Sequence, residues 1–301
     1  MHPAELAILL HRSLELRLAR LQELLGREDW SEDMEQLHQV RVGARRLGAV
    51  LDLVDPEIYP GHKAQRRALK ELVDTLGLPR ELDVHAGILR TYLAGTQRVA
   101  HAASIEHVLV LVDRGRAKAR RNMAKSLKRL RLPDLERLLE VPALLDPFQL
   151  TTLQESAWAC LEPRAEAALG GLAALTEREN PSAMHKTRVR IKKLRYAVEA
   201  LEAAFLVPPE ACLKDLRNLQ TLLGDHHDMA VLEDLLWTTE AGLRTGGHGT
   251  LGEGILDLLG EVAEDRRALF GRFVQATQGL DPSTFAATVC PLLGLDAGGS
   301  P

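Results

Sequence analysis

The residues with the clearest chemical character lie in one short segment. Residues 185–195 read HKTRVRIKKLR and contain six Lys or Arg side chains, one His and no acid. On an α-helix, His185, Arg188 and Lys192 would share one stripe, because they are spaced by three and four residues. Guanidinium, ammonium and imidazolium groups all donate to phosphate oxygens. The segment therefore predicts an anion site, unless carboxylates from neighbouring helices neutralise its cations.

The same pattern occurs earlier in the chain, at a constant distance of 147 residues. Aligning residues 38–84 with residues 185–231 without a gap gives ten identities in 47 positions, including His38/His185 and Arg41/Arg188. Positive charge also repeats where the residue type differs, at Arg45/Lys192, Arg46/Lys193, Arg67/Lys214 and Lys70/Arg217. Solvated charges without a role are free to vary, so their repetition indicates a duplicated anion site.

The repeat also predicts how the chain is organised. Twice its distance is nearly the full length of 301 residues, which indicates a tandem duplication with one helical bundle in residues 1–150 and a second in residues 151–301. The composition is 46% hydrophobic but only 4% aromatic, which favours helix formers over strand formers. The predicted fold class is all-α.

Apolar residues spaced by three and four predict helices along almost the whole chain. Gly and Pro residues separate them. The predicted helices lie near residues 6–25, 33–54, 63–77, 80–94, 99–131, 134–140, 151–175, 183–205, 210–223, 226–240, 252–279 and 283–293.

A second basic run closes the helix predicted over residues 99–131. Nine Lys or Arg side chains and no acid lie between Arg114 and Arg131. We expect part of this run to line the same anion site, with Arg121 and Lys125 as candidates. The helix dipole alone also favours cations near a helix C-terminus, so a solvated face is the alternative.

The segment Asp225-His226-His227-Asp228 allows two interpretations. Asp225 is a good N-cap for the helix predicted after it, which would make the segment structural. His and Asp side chains are also metal ligands, although adjacent residues on a helix diverge by about 100°. If His185, His227 and Asp228 held a metal, the chain would be a metal-dependent phosphohydrolase of the HD type.

Several function classes are disfavoured by composition and motifs. The net charge of -4 and the few aromatic residues argue against a nucleic-acid binder. The spacing of Cys160, Cys212 and Cys290 indicates neither disulfides nor a zinc site. No P-loop or dinucleotide-binding motif is present. Because the sequence has no long apolar segment, we expect a cytoplasmic protein with no membrane partner. Because these cofactor motifs are absent, we also expect no cofactor.

Five segments resemble the CHAD family, the conserved histidine α-helical domains. HQVRVGARRLGAVLDLV from residue 38 and HKTRVRIKKLRYAVEALEAAF from residue 185 are similar to its two signature helices. LKDLRNLQTLLGDHHDMAVLEDLL, residues 213–236, is similar to its second signature, and LGLPRELDVHAGIL, residues 76–89, to the first-copy counterpart. ARRNMAKSLKRLRLPDLERLLE, residues 119–140, resembles the central family segment.

The resemblance implies two pseudo-symmetric four-helix bundles around a basic channel that binds inorganic polyphosphate, and recruitment to polyphosphate granules. The family's His and basic positions fall on His38, Arg41, Arg45, Arg46, His185, Arg188, Lys192, Lys193 and Arg195. Gly48 stands where the first copy usually has another Arg, which implies stronger binding by the second bundle. The strand signature of the CYTH triphosphate-processing domain is absent from this sequence, so we expect binding without catalysis.

Overall fold

The computed structural model of the chain describes residues 3–28, 30–54, 62–130, 153–247 and 249–296. Regular secondary structure within these ranges is helical, without strands, which confirms the all-α prediction. No helix in the same ranges has the length and apolar composition needed to cross a membrane.

The described part of the chain forms eleven α-helices, most of them longer than four turns. A short 3-10 helix, Glu202–Ala204, follows the eighth. The α-helices are α1 (Pro3–Leu25), α2 (Met34–Leu51), α3 (His62–Thr75), α4 (Gly77–Gly95), α5 (Val99–Arg129), α6 (Leu153–Leu169), α7 (Leu172–Glu177), α8 (Pro181–Ala200), α9 (Glu210–Thr245), α10 (Gly249–Ala276) and α11 (Pro282–Leu292).

Two predicted helices, near 210–223 and 226–240, form the single helix α9. The prediction of Asp225 as an N-cap was therefore wrong, since Asp225 lies inside this helix. A glycine such as Gly224 destabilises a helix interior by about 1 kcal/mol relative to alanine. Burial of neighbouring side chains such as Leu223 and Leu232 offsets this cost. The helix predicted near 134–140 lies outside the described residues.

The two helices that carry the repeated His and Arg residues begin in the same way. The side chain of Asp33 caps α2 by accepting a hydrogen bond of 2.7 Å from the backbone N–H of Gln36. Asn180 caps α8 by accepting one of 3.0 Å from the N–H of Ala183. Asp33 and Asn180 are also 147 residues apart, so the repeat extends to the caps.

The chain divides into two compact units. The first comprises residues 1–73, 130–221 and 276–301, and the second residues 74–129 and 222–275. Each unit thus takes segments from both predicted halves, 1–150 and 151–301, and the compact units do not follow that division. The reason is that a helix buries its apolar stripe against whichever helix offers a matching face, regardless of distance along the chain.

In the first unit, α1 packs on α2, α6 packs on α8, and α2 packs on α8. Leu14, Leu18 and Leu21 of α1 are buried in its core, with Leu47 of α2 and Leu194 of α8. The second unit has its own core, in which α4 packs on α5. That core includes Leu89, Ile105, Val108, Leu232, Ile255 and Leu258.

Candidate anion site

The candidate site is built on the contact between α2 and α8 in the first unit. Leu47 and Leu194, which are equivalent in the repeat, are fully buried on the core sides of these two helices. Burial of apolar side chains at these positions fixes the rotation of each helix about its axis. The repeated cationic stripes adjoin the apolar faces, so both are positioned by the packing of the core.

Lys192 lies at the centre of a cluster of positive charges that draws on both helices. It is half-buried, and burial together with the charges of four arginines lowers its pKa to about 7. Those arginines, in order of their effect, are Arg45, Arg188, Arg41 and Arg195. The structure therefore brings together five of the cations that the sequence predicts for the site. We call Arg41, Arg45, Arg188, Lys192 and Arg195 the α2/α8 cluster.

Two further observations describe the electrostatics of the α2/α8 cluster. The pKa of His185 is lowered by burial and by the charges of Arg188 and Lys192. The Nε of Arg188 is buried and has no hydrogen-bond partner among the described residues. Burying a charged donor without an acceptor costs free energy, which a bound anion would recover. The electrostatics of the cluster therefore favour the binding of an anion.

Glu199 neutralises some of the predicted site residues. Its carboxylate accepts a hydrogen bond of 2.7 Å from Arg195, and both side chains are almost fully buried. Arg46 of α2 lies 3.4 Å from the same carboxylate, and Arg217 of α9 lies 3.7 Å from it. Arg46, Arg195 and Arg217 therefore have a carboxylate partner in the free protein, and their role in binding stays a prediction. Gln220 accepts a further bond from Arg195 at 3.0 Å.

Five other predicted site residues are exposed and lie on helices other than α2 and α8. Arg67 and Lys70 lie on α3, and Lys214 lies on α9. Arg121 and Lys125 lie on α5, in the second compact unit. Their role in binding stays a prediction. His38 is partly exposed on α2, one turn before Arg41, and its role also stays a prediction.

Acids that lie outside the basic run of α5 partly neutralise it. Asp83 of α4 is buried and accepts hydrogen bonds from Arg116 at 2.7 Å and from Arg120 at 3.4 Å. Arg116 also pairs with Asp113 at 2.8 Å. The sequence did not indicate the contact between Asp83 and Arg116, because these residues are 33 positions apart and meet only through the packing of α4 on α5.

The metal interpretation of the DHHD segment finds no support in the described residues. None of their His, Cys, Asp and Glu side chains form a group of three or more that could hold a metal ion. His226 is buried in α9, whereas His227 and Asp228 are partly exposed. An HD-type phosphohydrolase needs such a group, so no observation favours that alternative.

Sequence reasoning missed two arginines that repeat with the same distance as the signature helices. Arg17 of α1 donates to the backbone carbonyl of Glu199, and Arg164 of α6 donates to that of Asp52, both at 2.9 Å. Arg17 and Arg164 are 147 residues apart, as are Asp52 and Glu199. Extending the self-comparison toward the N-terminus of each copy would have found them.

Comparison with known proteins gives one family. A family model described as the CHAD domain matches residues 12–237. An uncharacterised protein of Mycobacterium tuberculosis strain H37Rv, Rv2226, is 26% identical over 258 residues, which are 82% of this chain and 48% of the relative. A protein of strain CDC 1551 of the same species gives the same values. The chain thus spans about half the length of the curated relatives it matches.

Two solved structures share the fold. The crystal structure of the CHAD domain from the plant Ricinus communis has a TM-score of 0.63 at 24% identity, covering 93% of this chain and 91% of that one. PptA from Streptomyces chartreusis has a TM-score of 0.60 at 22% identity, covering 90% of this chain and 98% of that one. At these identities the likeness concerns the fold.

Proposed function

Because the chain belongs to the CHAD domain family, we propose that it binds inorganic polyphosphate through the α2/α8 cluster. The observation that carries the proposal is the position of Lys192 among Arg41, Arg45 and Arg188, on two helices that repeat the same stripe. Like charges that converge in a half-buried place destabilise the free protein. A bound polyanion would reverse this effect, since it favours the charged form of every member.

Inorganic polyphosphate suits the cluster better than other anions. Its linear chain offers several negative charges to cations that lie along two adjacent helices. Each Arg can donate to phosphate oxygens in a bidentate manner. A nucleic acid would also offer phosphates, but the three Trp, three Tyr and five Phe of the sequence provide few surfaces on which bases could stack.

We infer that the function is binding rather than catalysis. A metal-dependent phosphohydrolase would need a group of metal ligands close to the bound phosphates, and the described residues contain no such group of His, Cys, Asp and Glu side chains. A binding protein of this kind would accumulate wherever polyphosphate is stored, so we propose that the chain localises to polyphosphate granules in the cytoplasm.

Titration of the purified protein with labelled long-chain polyphosphate, at several salt concentrations, tests the proposal. We expect affinity to fall steeply with salt, because counterions are released when several phosphates are bound. Unlabelled polyphosphate should compete fully, whereas duplex DNA of equal phosphate content should compete weakly. Equal competition by DNA would favour a general nucleic-acid binder, and release of phosphate on incubation would favour the phosphohydrolase.

A further inference from the structure

Two cavities in the first unit are equivalent in the repeat. The first has a volume of about 370 Å³ and includes Arg17, Arg46 and Glu199 in its wall. The second has a volume of about 510 Å³ and includes Arg164, Lys193 and Asp52, which are the counterparts of those three residues at the distance of 147. Eight described residues line the second cavity, and seven of them have a counterpart lining the first. We call them cavity 1 and cavity 2.

The walls of the two cavities are held together by the same contacts. In cavity 1, Arg17 donates to the carbonyl of Ser13 on its own helix and to the carbonyl of Glu199. In cavity 2, Arg164 donates to the carbonyl of Cys160 on its own helix and to that of Asp52. These arginines join α1 to α8 and α6 to the end of α2. The two cavities are therefore bounded by helices that are joined in the same way, and they differ in some of the other residues that line them.

The difference between the cavities is one of charge. Among the described residues, the wall of cavity 1 has four cations and three carboxylates, Glu199, Glu202 and Glu210. The described part of the wall of cavity 2 has four cations and one carboxylate, Asp52. The described walls have equal numbers of cations, so the more positive balance of cavity 2 comes from its smaller number of carboxylates. The cations stand at partly different positions: Arg190 and Arg66 occupy the positions of Gly43 and Leu213, whereas Ala167 occupies the position of Arg20.

Two cations of cavity 2 are available to a ligand. Arg66 is engaged with the carboxylate of Asp52, and Arg164 with backbone carbonyls. Arg190 and Lys193 are exposed on α8, and within the described ranges neither side chain makes a hydrogen bond or an ion pair. Exposed lysines and arginines are common, but here they border a concave wall whose other cations are already fixed in place.

Cavity 2 lies close to the α2/α8 cluster along both helices. On α8, Lys193 directly follows Lys192, although successive side chains on a helix point about 100° apart. On α2, Ala49 of the cavity wall is four residues after Arg45, a rise of about 6 Å along the helix axis. A chain of linked phosphates that contacts the cluster can therefore reach the cavity within a few of its units.

We propose that cavity 2 binds further phosphate groups of a polyphosphate chain that is held at the α2/α8 cluster, with Arg190 and Lys193 as the contacting cations. This inference rests on the proposed function for the identity of the ligand. Cavity 1, with its three carboxylates, does not take part. Cavity 2 thus makes the protein select long chains over short ones, because only a long chain occupies the cluster and the cavity together.

Calorimetric titration of four proteins with three ligands tests this. The proteins are the wild type, Arg190→Gln/Lys193→Gln, the cluster variant Arg45→Gln/Lys192→Gln, and the control Arg20→Gln/Arg178→Gln. The control removes two exposed cations of the same unit, one of them in the wall of cavity 1. The ligands are long-chain polyphosphate, tripolyphosphate and inorganic phosphate.

We expect Arg190→Gln/Lys193→Gln to bind the long chain about tenfold more weakly and to lower the slope of log K against log salt by about 2. Its affinity for tripolyphosphate should stay within about twofold of wild type, since this short ligand fits the cluster alone. The cluster variant should lose affinity for both ligands. The control should match the wild type with each of them, apart from a small effect of net charge.

Other results would overturn the inference in distinguishable ways. Equal long-chain affinity in Arg190→Gln/Lys193→Gln and the control would reject cavity 2 and leave the proposed function intact. Saturable binding of inorganic phosphate that this variant loses would identify a separate ion site instead of a continuation of the chain. If the wild type bound neither polyphosphate, the proposed function would fail, and the assignment of cavity 2 would fail with it.

Discussion

The guanidinium group of Arg66 lies directly beside Gly48, where a Cβ on residue 48 would come within 3.2 Å of its nearest nitrogen. Arg66 pairs with Asp52 through hydrogen bonds of 2.6 and 2.9 Å. In the second copy, Arg195 and Glu199 stand at the positions of Gly48 and Asp52, and they pair within α8 at 2.7 Å. Arg66 thus supplies from α3 the cation that α2 lacks at residue 48.

This relationship predicts a compensating pair of substitutions. Arg66→Ala alone should lower the free energy of unfolding by up to about 1 kcal/mol, because its pair with Asp52 is partly exposed. Gly48→Arg alone should cost more, since the new side chain meets Arg66. The double variant should recover most of the loss by forming an i, i+4 pair with Asp52 like that of α8. Urea unfolding of the wild type, the two single variants and the double variant measures the coupling energy between residues 48 and 66. If the losses of the single variants simply added up in the double variant, Arg66 would not substitute for a cation at residue 48.

The candidate site could be predicted from sequence where it depends on the repeat. The distance of 147 placed Arg41, Arg45, Arg188 and Lys192 on matching stripes, and the packing of α2 on α8 brings them together. The spacing of Arg195 and Glu199, four residues apart on one helix, could also have been read as an ion pair.

Other features depend on tertiary packing and left no local signal. The contacts of Arg46 and Arg217 with Glu199 join three helices that are distant in the sequence. The repeat also could not predict which segments form each compact unit. The alignment shows which segments are equivalent, but it does not show which segments share a core. Gly48 suggested a weaker first copy, and only the structure shows Arg66 beside it.

The lowered pKa of Lys192 makes binding of polyphosphate depend on pH. In the free protein this pKa is about 7, and a bound polyanion raises it because it favours the ammonium form. Binding should therefore take up protons near and above pH 7, and affinity should increase as the pH falls toward 7. His185, whose pKa is also lowered in the free protein, should extend the increase to lower pH. Calorimetry in two buffers of different ionisation enthalpy measures the uptake.

The same pKa has the opposite consequence for the unliganded fold. The pKa of Lys192 is lower in the folded state than its usual value of 10.5, so the unfolded chain binds more protons between about pH 7 and 10.5. The contribution of Lys192 to stability therefore rises with pH across this window and is lost as the pH falls. Lys192→Met should flatten the dependence and remove the proton uptake above pH 7. An unchanged uptake in this variant would assign the proton to another group.

Glu199 should contribute strongly to the stability of the first unit. Its pair with Arg195 is almost fully buried, and removing one partner of such a pair leaves an uncompensated charge at a cost of about 3 kcal/mol. We therefore expect Glu199→Gln to lower the free energy of unfolding by that amount. Glu202→Gln, three residues further on and exposed, is the control and should change it by less than about 0.5 kcal/mol. Chemical unfolding measures the free energy of unfolding of both variants. Similar values for the two would mean that Arg195 is held by Gln220 and packing alone.

The two copies should contribute unequally to polyphosphate binding. Arg188→Gln/Lys192→Gln removes two cations of α8, each expected to make charge-assisted hydrogen bonds of about 1.5–3 kcal/mol, so affinity should fall at least about 100-fold. Arg41→Gln/Arg45→Gln, the matched change on α2, should cost less, because it leaves Arg188 and the half-buried Lys192 of the cluster in place. Melting temperatures should show that both variants fold. Titration with one length of polyphosphate compares them, and wild-type affinity in both would mean that the ligand binds elsewhere.

The last prediction is that cavity 1 can be converted into a second copy of cavity 2. In the described part of the chain, Glu202→Gln/Glu210→Gln leaves the wall of cavity 1 with four cations and one carboxylate, Glu199, which is the balance that cavity 2 has with Asp52. Both carboxylates are exposed, so each contributes up to about 1 kcal/mol of repulsion toward a phosphate chain. Affinity for long-chain polyphosphate should therefore rise about fivefold to 30-fold, with tripolyphosphate affected far less. Glu28→Gln/Glu177→Gln changes the net charge equally at exposed positions of the same unit and is the control. An equal rise in that control would mean that net charge alone governs the affinity, and that the wall of cavity 1 has no particular role.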